Sequence, residues 1–265
     1  HVQVKAYLAS AGIEVKSTEA KELEKFKGDP FIDALLEYKK TLKMRGFVKT
    51  FLEKNIDGYL HPQFKIARTT TGRLASSNVN IQQIPREGPV KRGIIAPTGY
   101  KIVTADYSQV ELRVMAVLSG DKEMQSRFQP DSEDFFDALM PAAFPDLCPT
   151  VEAYEAYKAD HGGSDKKYRA VIKGTVYGLS FGRGAAAIGQ AVGQDREYAQ
   201  KIIDNIFAAY PQWGQWRETI KEQAVKGELT AWTGMPFEAE IVHWRNRAEL
   251  ERSGLSFMPQ HHANQ

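Results

Sequence analysis

Two carboxylates five residues apart, Asp106 and Glu111, are the groups in this sequence best suited to chemistry. They lie in Asp106-Tyr107-Ser108-Gln109-Val110-Glu111-Leu112-Arg113, after the β-prone run Ile102-Val103-Thr104-Ala105. The run predicts a strand that ends at Asp106, and the apolar residues from Val110 to Leu118 predict a helix. An acid at a strand end is rigidly held near solvent, which suits a metal ligand. A lone Asp there also serves as an ordinary turn or helix cap.

A second cluster places two cations and two aromatic rings at every fourth residue, namely Arg169, Lys173, Tyr177 and Phe181. In a helix these four side chains share one face. Cations neutralise phosphate oxygens and a ring packs on a base or sugar, so the face suits a nucleoside triphosphate. The alternative is a solvated cationic face opposite an aromatic core face, which fits poorly because both kinds of side chain share one face.

Glycines line the same predicted helix at the same spacing, at Gly174, Gly178 and Gly182. Glycine costs a helix about 1 kcal/mol per site relative to alanine. The line of glycines therefore predicts that another element passes close to the helix.

A polar stretch precedes both clusters and runs from Thr71 to Pro85. Its small hydroxyl and amide side chains, with Arg73, suit contacts to the sugar and phosphate edges of a nucleic-acid duplex. Composition alone would describe it as an ordinary polar loop. The residues that we expect to make such contacts are Thr71, Arg73, Ser76, Asn80 and Gln83.

These three motifs, in this order, resemble those of family A DNA polymerases, the group of bacterial polymerase I and T7 phage polymerase. The resemblance implies template-directed transfer of deoxynucleotides (dNTPs) to a primer 3′-hydroxyl on primer-template DNA. It implies that Asp106, helped by the carbonyl of Tyr107, binds two Mg²⁺ ions, for which Mn²⁺ can substitute. Arg169 and Lys173 would hold the triphosphate, and Lys173 would protonate the departing pyrophosphate.

The resemblance also assigns residues around the incoming nucleotide. Tyr177 would pack on its sugar and base, Gly178 would let the template approach, and Phe181 would lie beside the templating pair. Glu111 would exclude a 2′-hydroxyl, and Gln109 is expected at the same nucleotide. Many bacterial relatives carry Phe where Tyr177 stands, which predicts tolerance of dideoxynucleotides and favours a phage-like origin. Phe181 replaces the usual Tyr, which predicts looser discrimination against ribonucleotides.

The C-terminal stretch resembles the helix that returns to the palm, and it implies template and primer contacts by Arg252 and Gln260. The family's second catalytic carboxylate, in a His-Asp-Glu turn, does not occur in the sequence. One carboxylate compensates two divalent cations poorly. We therefore expect this chain alone to be inactive or incomplete, with a second polypeptide or a missing C-terminal segment completing the palm. A truncated piece, a split gene and protein splicing all remain open.

Charge is unevenly distributed, although 35 Lys and Arg nearly balance 33 Asp and Glu. Residues 63–105 hold seven cations and one acid, and residues 166–183 hold five cations and no acid. Residues 121–165 between them hold eleven acids and three cations. Phosphate-facing surfaces are therefore expected at the two motif regions, with an acidic outer surface between them.

Composition limits the class of protein. With 42% hydrophobic residues, the 265-residue chain can bury a core. No apolar run approaches the roughly 18 residues of a membrane span, and the start lacks a signal-peptide pattern, which predicts no membrane partner and a cytoplasmic location in bacteria or phage-infected hosts. The lone Cys148 excludes an intrachain disulfide and is expected to be a buried thiol.

The predicted fold is α+β, a right-hand polymerase fold with a palm sheet, helical fingers, a partial thumb and an incomplete palm. The expected divisions are partial thumb 1–62, first part of the palm 63–125, fingers 126–245 and returning palm segment 246–265. The four tryptophans are expected to be structural. The pair His261-His262 is not expected to bind a metal, because adjacent side chains rarely converge on one ion.

Two other classes of function stay open. A non-catalytic module that binds primed DNA would keep the Arg73 region and the basic helix without a metal. A single-subunit RNA polymerase shares the palm chemistry, although Glu111 and the Thr71-Gly72-Arg73-Leu74 stretch favour deoxynucleotides. A P-loop nucleoside-triphosphate hydrolase is disfavoured, because the sequence has no Gly-x-x-x-x-Gly-Lys-Ser/Thr loop.

Overall fold

The computed structural model describes residues 2–66, 68–85, 88–161, 167–237 and 246–263. The chain divides into two compact units, one made of residues 1–65 and 75–104 and the other of residues 66–74 and 105–265. Among the described helices, none combines the length and the apolarity that a membrane crossing requires.

The first unit combines helices with two small antiparallel sheets. Asp29 begins its longest helix by accepting hydrogen bonds from the backbone N–H groups of Phe31 and Ile32, both at 3.0 Å. Leu8, Leu23 and Ile32 form a small core. The elements are α1 (Val2–Ser10), α2 (Ala20–Leu23), a 3-10 helix (Glu24–Phe26), α3 (Pro30–Lys54), β1 (Asn55–Ile56), β2 (Tyr59–Leu60), β3 (Gln63–Lys65), β4 (Ala75–Ser77), a 3-10 helix (Ile81–Gln83) and α4 (Pro89–Arg92).

Both sheets of this unit are two-stranded. Strands β1 and β2 meet at a turn of Asp57 and Gly58, where both residues have a positive φ, 51° and 86°. Strand β3 pairs with β4, so that Phe64 faces Ser76. This second pairing joins the residues just before the polar stretch Thr71–Pro85 to residues within it.

The second unit is helical in its described part and carries the two chemical clusters. Its helices are α5 (Val110–Ser119), α6 (Lys122–Ser126), α7 (Phe135–Ala138), α8 (Met140–Ala143), α9 (Val151–Asp160), α10 (Lys167–Ser180), α11 (Ala185–Val192), α12 (Arg196–Ala209), α13 (Pro211–Lys226) and α14 (Arg247–His262). An isolated bridge joins Thr230 to Pro236.

Helix α10 is amphipathic in the way that the sequence predicts. Its buried residues, including Ile172, Val176 and Leu179, belong to the main core of this unit. Lys173 is exposed, and Tyr177 is only half-buried. The four-residue period therefore leaves Lys173 in solvent, while Tyr177 lies at the edge of the core and packs against it. Phe181 follows the last helical residue, and its N–H still donates to the Tyr177 carbonyl at 3.2 Å.

The predicted strand before Asp106 is wrong for this structure. Residues Ile102–Ala105 are described but form no strand, and Ile102 and Val103 are 61% and 88% exposed. A strand needs a hydrogen-bonded neighbour, and no described residue pairs with this run. β-prone residues predict an extended backbone here, but not the partner that would make it a strand.

A second core in this unit supports the returning helix α14. Gly254 lies so close to α13 that an added Cβ would be 2.5 Å from the Cβ of Ala224. The predicted burial of Cys148 is confirmed. Trp213 is fully buried, whereas Trp232 is 73% exposed and stacks on His262, so its predicted packing role is only partly correct. Trp244 lies outside the described residues.

Candidate functional site

The segment between the two carboxylates bends sharply at Gln109. This residue has a left-handed backbone (φ 52°) immediately before α5, and Asp106 and Tyr107 before it are exposed. Left-handed backbone is uncommon for a residue other than glycine. The Gln109 Nε2 group donates to Asp134 Oδ2 at 3.3 Å, and its Oε1 is buried without a described hydrogen-bond partner. Gln109 thus links the carboxylate motif to α7.

Glu111 is already paired with a cation from the polar stretch. Its Oε1 accepts a hydrogen bond from Arg73 Nη2 at 2.7 Å, and the Glu111 side chain is only 16% exposed. A charge-assisted contact of this length fixes both side chains. It brings together two residues from separate motifs, 38 positions apart in sequence.

The cationic face of α10 is asymmetric. Lys173 is exposed, whereas Arg169 Nη1 donates to Asp134 Oδ1 at 3.0 Å and to Asp137 Oδ1 at 3.1 Å. The guanidinium also lies 5.5 Å from the centre of the Phe136 ring. Sequence reasoning missed Asp134 and Asp137, because it assigned the whole acidic segment to an outer surface. Asp134 carried a signal, since an Asp before an apolar pair is a common helix cap.

Tyr177 lies between the aromatic and carboxylate groups of the site. Its ring centre is 6.1 Å from that of Phe136. Burial raises the pKa of the Tyr177 hydroxyl, and the negative charges of Glu111 and Asp106 raise it further. The phenol therefore keeps its proton at neutral pH. Tyr177 is therefore a residue of α10 that lies close enough to both predicted carboxylates to sense their charges.

The glycines on α10 face another helix. A Cβ at Gly174 would lie 2.9 Å from Val192 Cγ1, and a Cβ at Gly178 would lie 2.9 Å from Ile188 Cγ1. The predicted close approach of another element to α10 is therefore confirmed, and that element is α11. Gly182 has φ 74°, and its added Cβ would lie 2.9 Å from the Cα of Arg252, which sets the turn after Phe181 against α14.

The predicted DNA-contacting residues fall in both units. Thr71 and Arg73 belong to the second unit, and the ring of His261 approaches Gly72 between them, with Nδ1 3.1 Å from an added Cβ. Arg252 is exposed and Gln260 is half-buried, both on α14.

Three of the predicted contacts, Ser76, Asn80 and Gln83, belong to the first unit. Asn80 and Gln83 are exposed. Ser76 is buried, and its hydroxyl donates to Asn80 Oδ1 at 2.7 Å, so its prediction as a direct DNA contact needs correction. Short polar residues satisfy each other inside turns, and sequence composition does not reveal which of them do so.

The described side chains supply too few ligands for a two-ion site. No group of three His, Cys, Asp or Glu residues that could hold a metal occurs in the described ranges. Asp106 is an exposed carboxylate next to the Tyr107 carbonyl, and Glu111 is committed to Arg73. Two divalent ions repel each other and need several anionic oxygens. The described residues fit part of such a site and do not complete it.

Comparison with known proteins identifies one family. The model of DNA polymerase family A matches residues 4–255. A thermostable DNA polymerase I from Thermus filiformis is 30% identical over 221 residues, which cover 80% of this chain and 25% of that protein. The DNA polymerase I of Chloroflexus aurantiacus is 30% identical over 211 residues, which cover 77% of this chain and 21% of that protein. The chain thus spans about a quarter of the length of these relatives.

A solved structure has a similar fold. It is the POL domain of Pol1 from M. smegmatis in complex with DNA primer-template and dNTP. The TM-score is 0.71 at 25% sequence identity, and the match covers 92% of this chain and 43% of that one.

Proposed function

The chain belongs to DNA polymerase family A, and we propose that it forms the nucleotide-selecting part of a template-directed DNA polymerase. The reaction adds a dNTP to a primer 3′-hydroxyl. The observation that carries the proposal is the face of α10, which carries Arg169, Lys173 and Tyr177, and where the charges of Glu111 and Asp106 raise the pKa of the Tyr177 hydroxyl. The solved polymerase with primer-template and dNTP supports these ligands.

The cations of α10 bind the triphosphate in this proposal. Lys173 is exposed and brings an ammonium group to phosphate oxygens, and it also donates a proton to the departing pyrophosphate. Arg169 supplies a planar guanidinium, which matches phosphate oxygens in a bidentate manner. Tyr177 packs on the sugar and base, and Phe181 lies beside the templating pair.

The Arg73–Glu111 pair forms the wall beneath the sugar. The ion pair restrains Glu111, whose side chain is 16% exposed, so its volume stays where a 2′-hydroxyl would enter. Gln109 is part of the same surface through its contact with Asp134. The left-handed backbone at Gln109 directs the chain from Asp106 into α5.

Primer and template contacts involve exposed or half-buried residues of the polar stretch and α14. We assign them to Thr71, Arg73, Asn80, Gln83, Arg252 and Gln260. Ser76 acts within the loop, where it holds Asn80. Gly178 contributes to the approach of the template only indirectly, because its missing side chain lets α10 pack close to α11.

The two-ion site needs ligands beyond the described residues. We propose that Asp106 and the Tyr107 carbonyl provide one part and that a further polypeptide segment supplies at least one more carboxylate. The ions would be Mg²⁺, with Mn²⁺ as a substitute. The thumb, palm and fingers divisions at residues 62, 125 and 245 belong to the same proposal.

Ternary-complex formation tests nucleotide selection. The chain is bound to a primer-template with a dideoxy-terminated primer, and each of the four dNTPs is titrated. We expect the dNTP that pairs with the template base to bind more tightly than the other three, and Lys173→Met to weaken binding of all four. Equal affinities for the four, or no effect of Lys173→Met, would contradict the proposal. Glu218→Gln, a largely exposed position on α13, serves as control.

A further inference from the structure

Arg169, which we assign to the triphosphate, is already bound by two carboxylates. Its Nη1 lies 3.0 Å from Asp134 Oδ1 and 3.1 Å from Asp137 Oδ1. Carboxylate and phosphate oxygens are the same kind of acceptor for a guanidinium. The positive charge of Arg169 is therefore compensated within the protein before a nucleotide binds.

The two carboxylates differ in how firmly they are held elsewhere. Asp134 accepts hydrogen bonds from the N–H groups of Phe136 and Asp137 at the start of α7, at 3.0 and 3.3 Å, and from Gln109. The Asp134 carboxylate thus caps α7 and is held in place by backbone N–H groups. Asp137 has no capping role, and its second oxygen, Oδ2, lies 2.9 Å from Lys158 Nζ on α9.

Lys158 offers Asp137 another cationic partner. The side chains of Lys158 and Asp137 are 17% and 18% exposed. Burial lowers the pKa of Lys158, but hydrogen bonds with Glu155 and Asp137 raise it by more, so the ammonium stays charged at neutral pH. Asp137 therefore divides its charge between Arg169 and Lys158.

We propose that Asp137 is an internal competitor for the triphosphate at Arg169, and that Lys158 sets the strength of this competition. The proposal rests on the proposed function. When a triphosphate binds, Asp137 releases Arg169 and keeps Lys158, while Asp134 keeps its hydrogen bonds from the N–H groups of Phe136 and Asp137. A ligand with fewer negative charges, such as a nucleoside monophosphate, displaces Asp137 less readily. Asp137 and Lys158 are thus specificity-determining residues that act through Arg169.

The competition predicts opposite effects at two neighbouring residues. Asp137→Asn removes the competing charge and should tighten dATP binding about threefold, the size expected for a partly exposed ion pair. Lys158→Met leaves Asp137 with Arg169 alone and should weaken binding about threefold. In the double variant Asp137→Asn/Lys158→Met, the effect of Lys158→Met should vanish.

The test is a dATP titration of the full chain on a dideoxy-terminated primer-template with a templating T. Lys158→Arg, which keeps the charge, and Asp204→Asn, an exposed acid on α12, should bind like the unmodified chain. Raising the ionic strength should shrink both effects, because salt screens them. Thermal melts of each variant identify losses of dATP binding that are caused by unfolding.

The outcomes separate this inference from the proposed function. If dATP binds, Arg169→Met weakens it, and Asp137→Asn weakens it too, Asp137 only positions Arg169 and the inference is wrong. The same holds if the double variant still shows the Lys158→Met loss. If the unmodified chain binds no dATP, the proposed function fails and the inference fails with it. Opposite signs for the two single variants would support both.

Discussion

At the scale of single residues, Tyr177 connects structure to substrate choice. Its hydroxyl remains protonated at neutral pH because burial, Glu111 and Asp106 all raise its pKa. A protonated phenol can donate the hydrogen bond that a missing 3′-hydroxyl would otherwise make. We therefore expect Tyr177→Phe to lower incorporation of dideoxynucleotides relative to deoxynucleotides by about tenfold, the value of one hydrogen bond of about 1.4 kcal/mol.

Competition between the two kinds of nucleotide in primer extension, with the polypeptide that completes the palm present, measures this ratio. Phe181→Tyr is the matched control, because it adds a hydroxyl one helical turn away. An unchanged ratio in Tyr177→Phe would contradict the assignment of Tyr177 to the sugar.

His262 makes folding dependent on pH. Its Nε2 accepts the Trp232 N–H at 3.2 Å, and its Nδ1 contacts the Met258 carbonyl. Burial lowers the pKa of His262, the bond to Met258 raises it, and His261 lowers it, with a net decrease. Below about pH 6.5, His262 binds a proton more readily in the unfolded chain than in the folded one. The free energy of unfolding therefore decreases as the pH is lowered.

Urea unfolding at pH 7.5 and pH 5 measures this contribution. His262→Gln should lose less stability between the two pH values than the unmodified chain, because Gln accepts a hydrogen bond without titrating. His61→Gln, at an exposed position of the first unit, should behave like the unmodified chain. An identical pH dependence in His262→Gln would exclude His262 as its source.

At the scale of elements, local patterns predict helices and miss long-range pairings. The four-residue period identifies α10 and the apolar run from Val110 to Leu118 identifies α5, because a helix satisfies its own backbone hydrogen bonds. The run before Asp106 does not become a strand, because its partner must come from elsewhere in sequence. The contacts of Arg169 with Asp134 and Asp137 span 35 and 32 residues, and no local pattern encodes them.

The packing of α11 against the turn that leads into α12 depends on Gly189. A Cβ there would lie 2.6 Å from the Asp195 carbonyl oxygen and 2.8 Å from that of Gln194. Gly189→Ala should therefore lower the free energy of unfolding by about 1–3 kcal/mol, as expected for overpacking against backbone. Denaturant melts test this. Gly184→Ala, where nothing lies within 4 Å, should cost less than about 1 kcal/mol. Equal costs at both sites would show that Gly189 is not tightly packed.

At the scale of the whole molecule, exposed apolar residues precede the carboxylate motif. Ile95, Ile102 and Val103 of the first unit are 79%, 61% and 88% exposed. Exposed apolar groups of this kind commonly mark an interaction surface. They lie in the segment that leads to Asp106. We propose that this segment contacts the further polypeptide that would complete the metal site.

Primer extension tests the central proposal most directly. The chain is incubated with primed template, Mg²⁺ and four dNTPs, first alone and then with a polypeptide that carries the C-terminal palm segment of a family A relative. We expect extension in the mixture, none with the chain alone, and loss of extension in Asp106→Ala. No extension in either case, with primed DNA still bound, would contradict the polymerase account and favour a non-catalytic DNA-binding module.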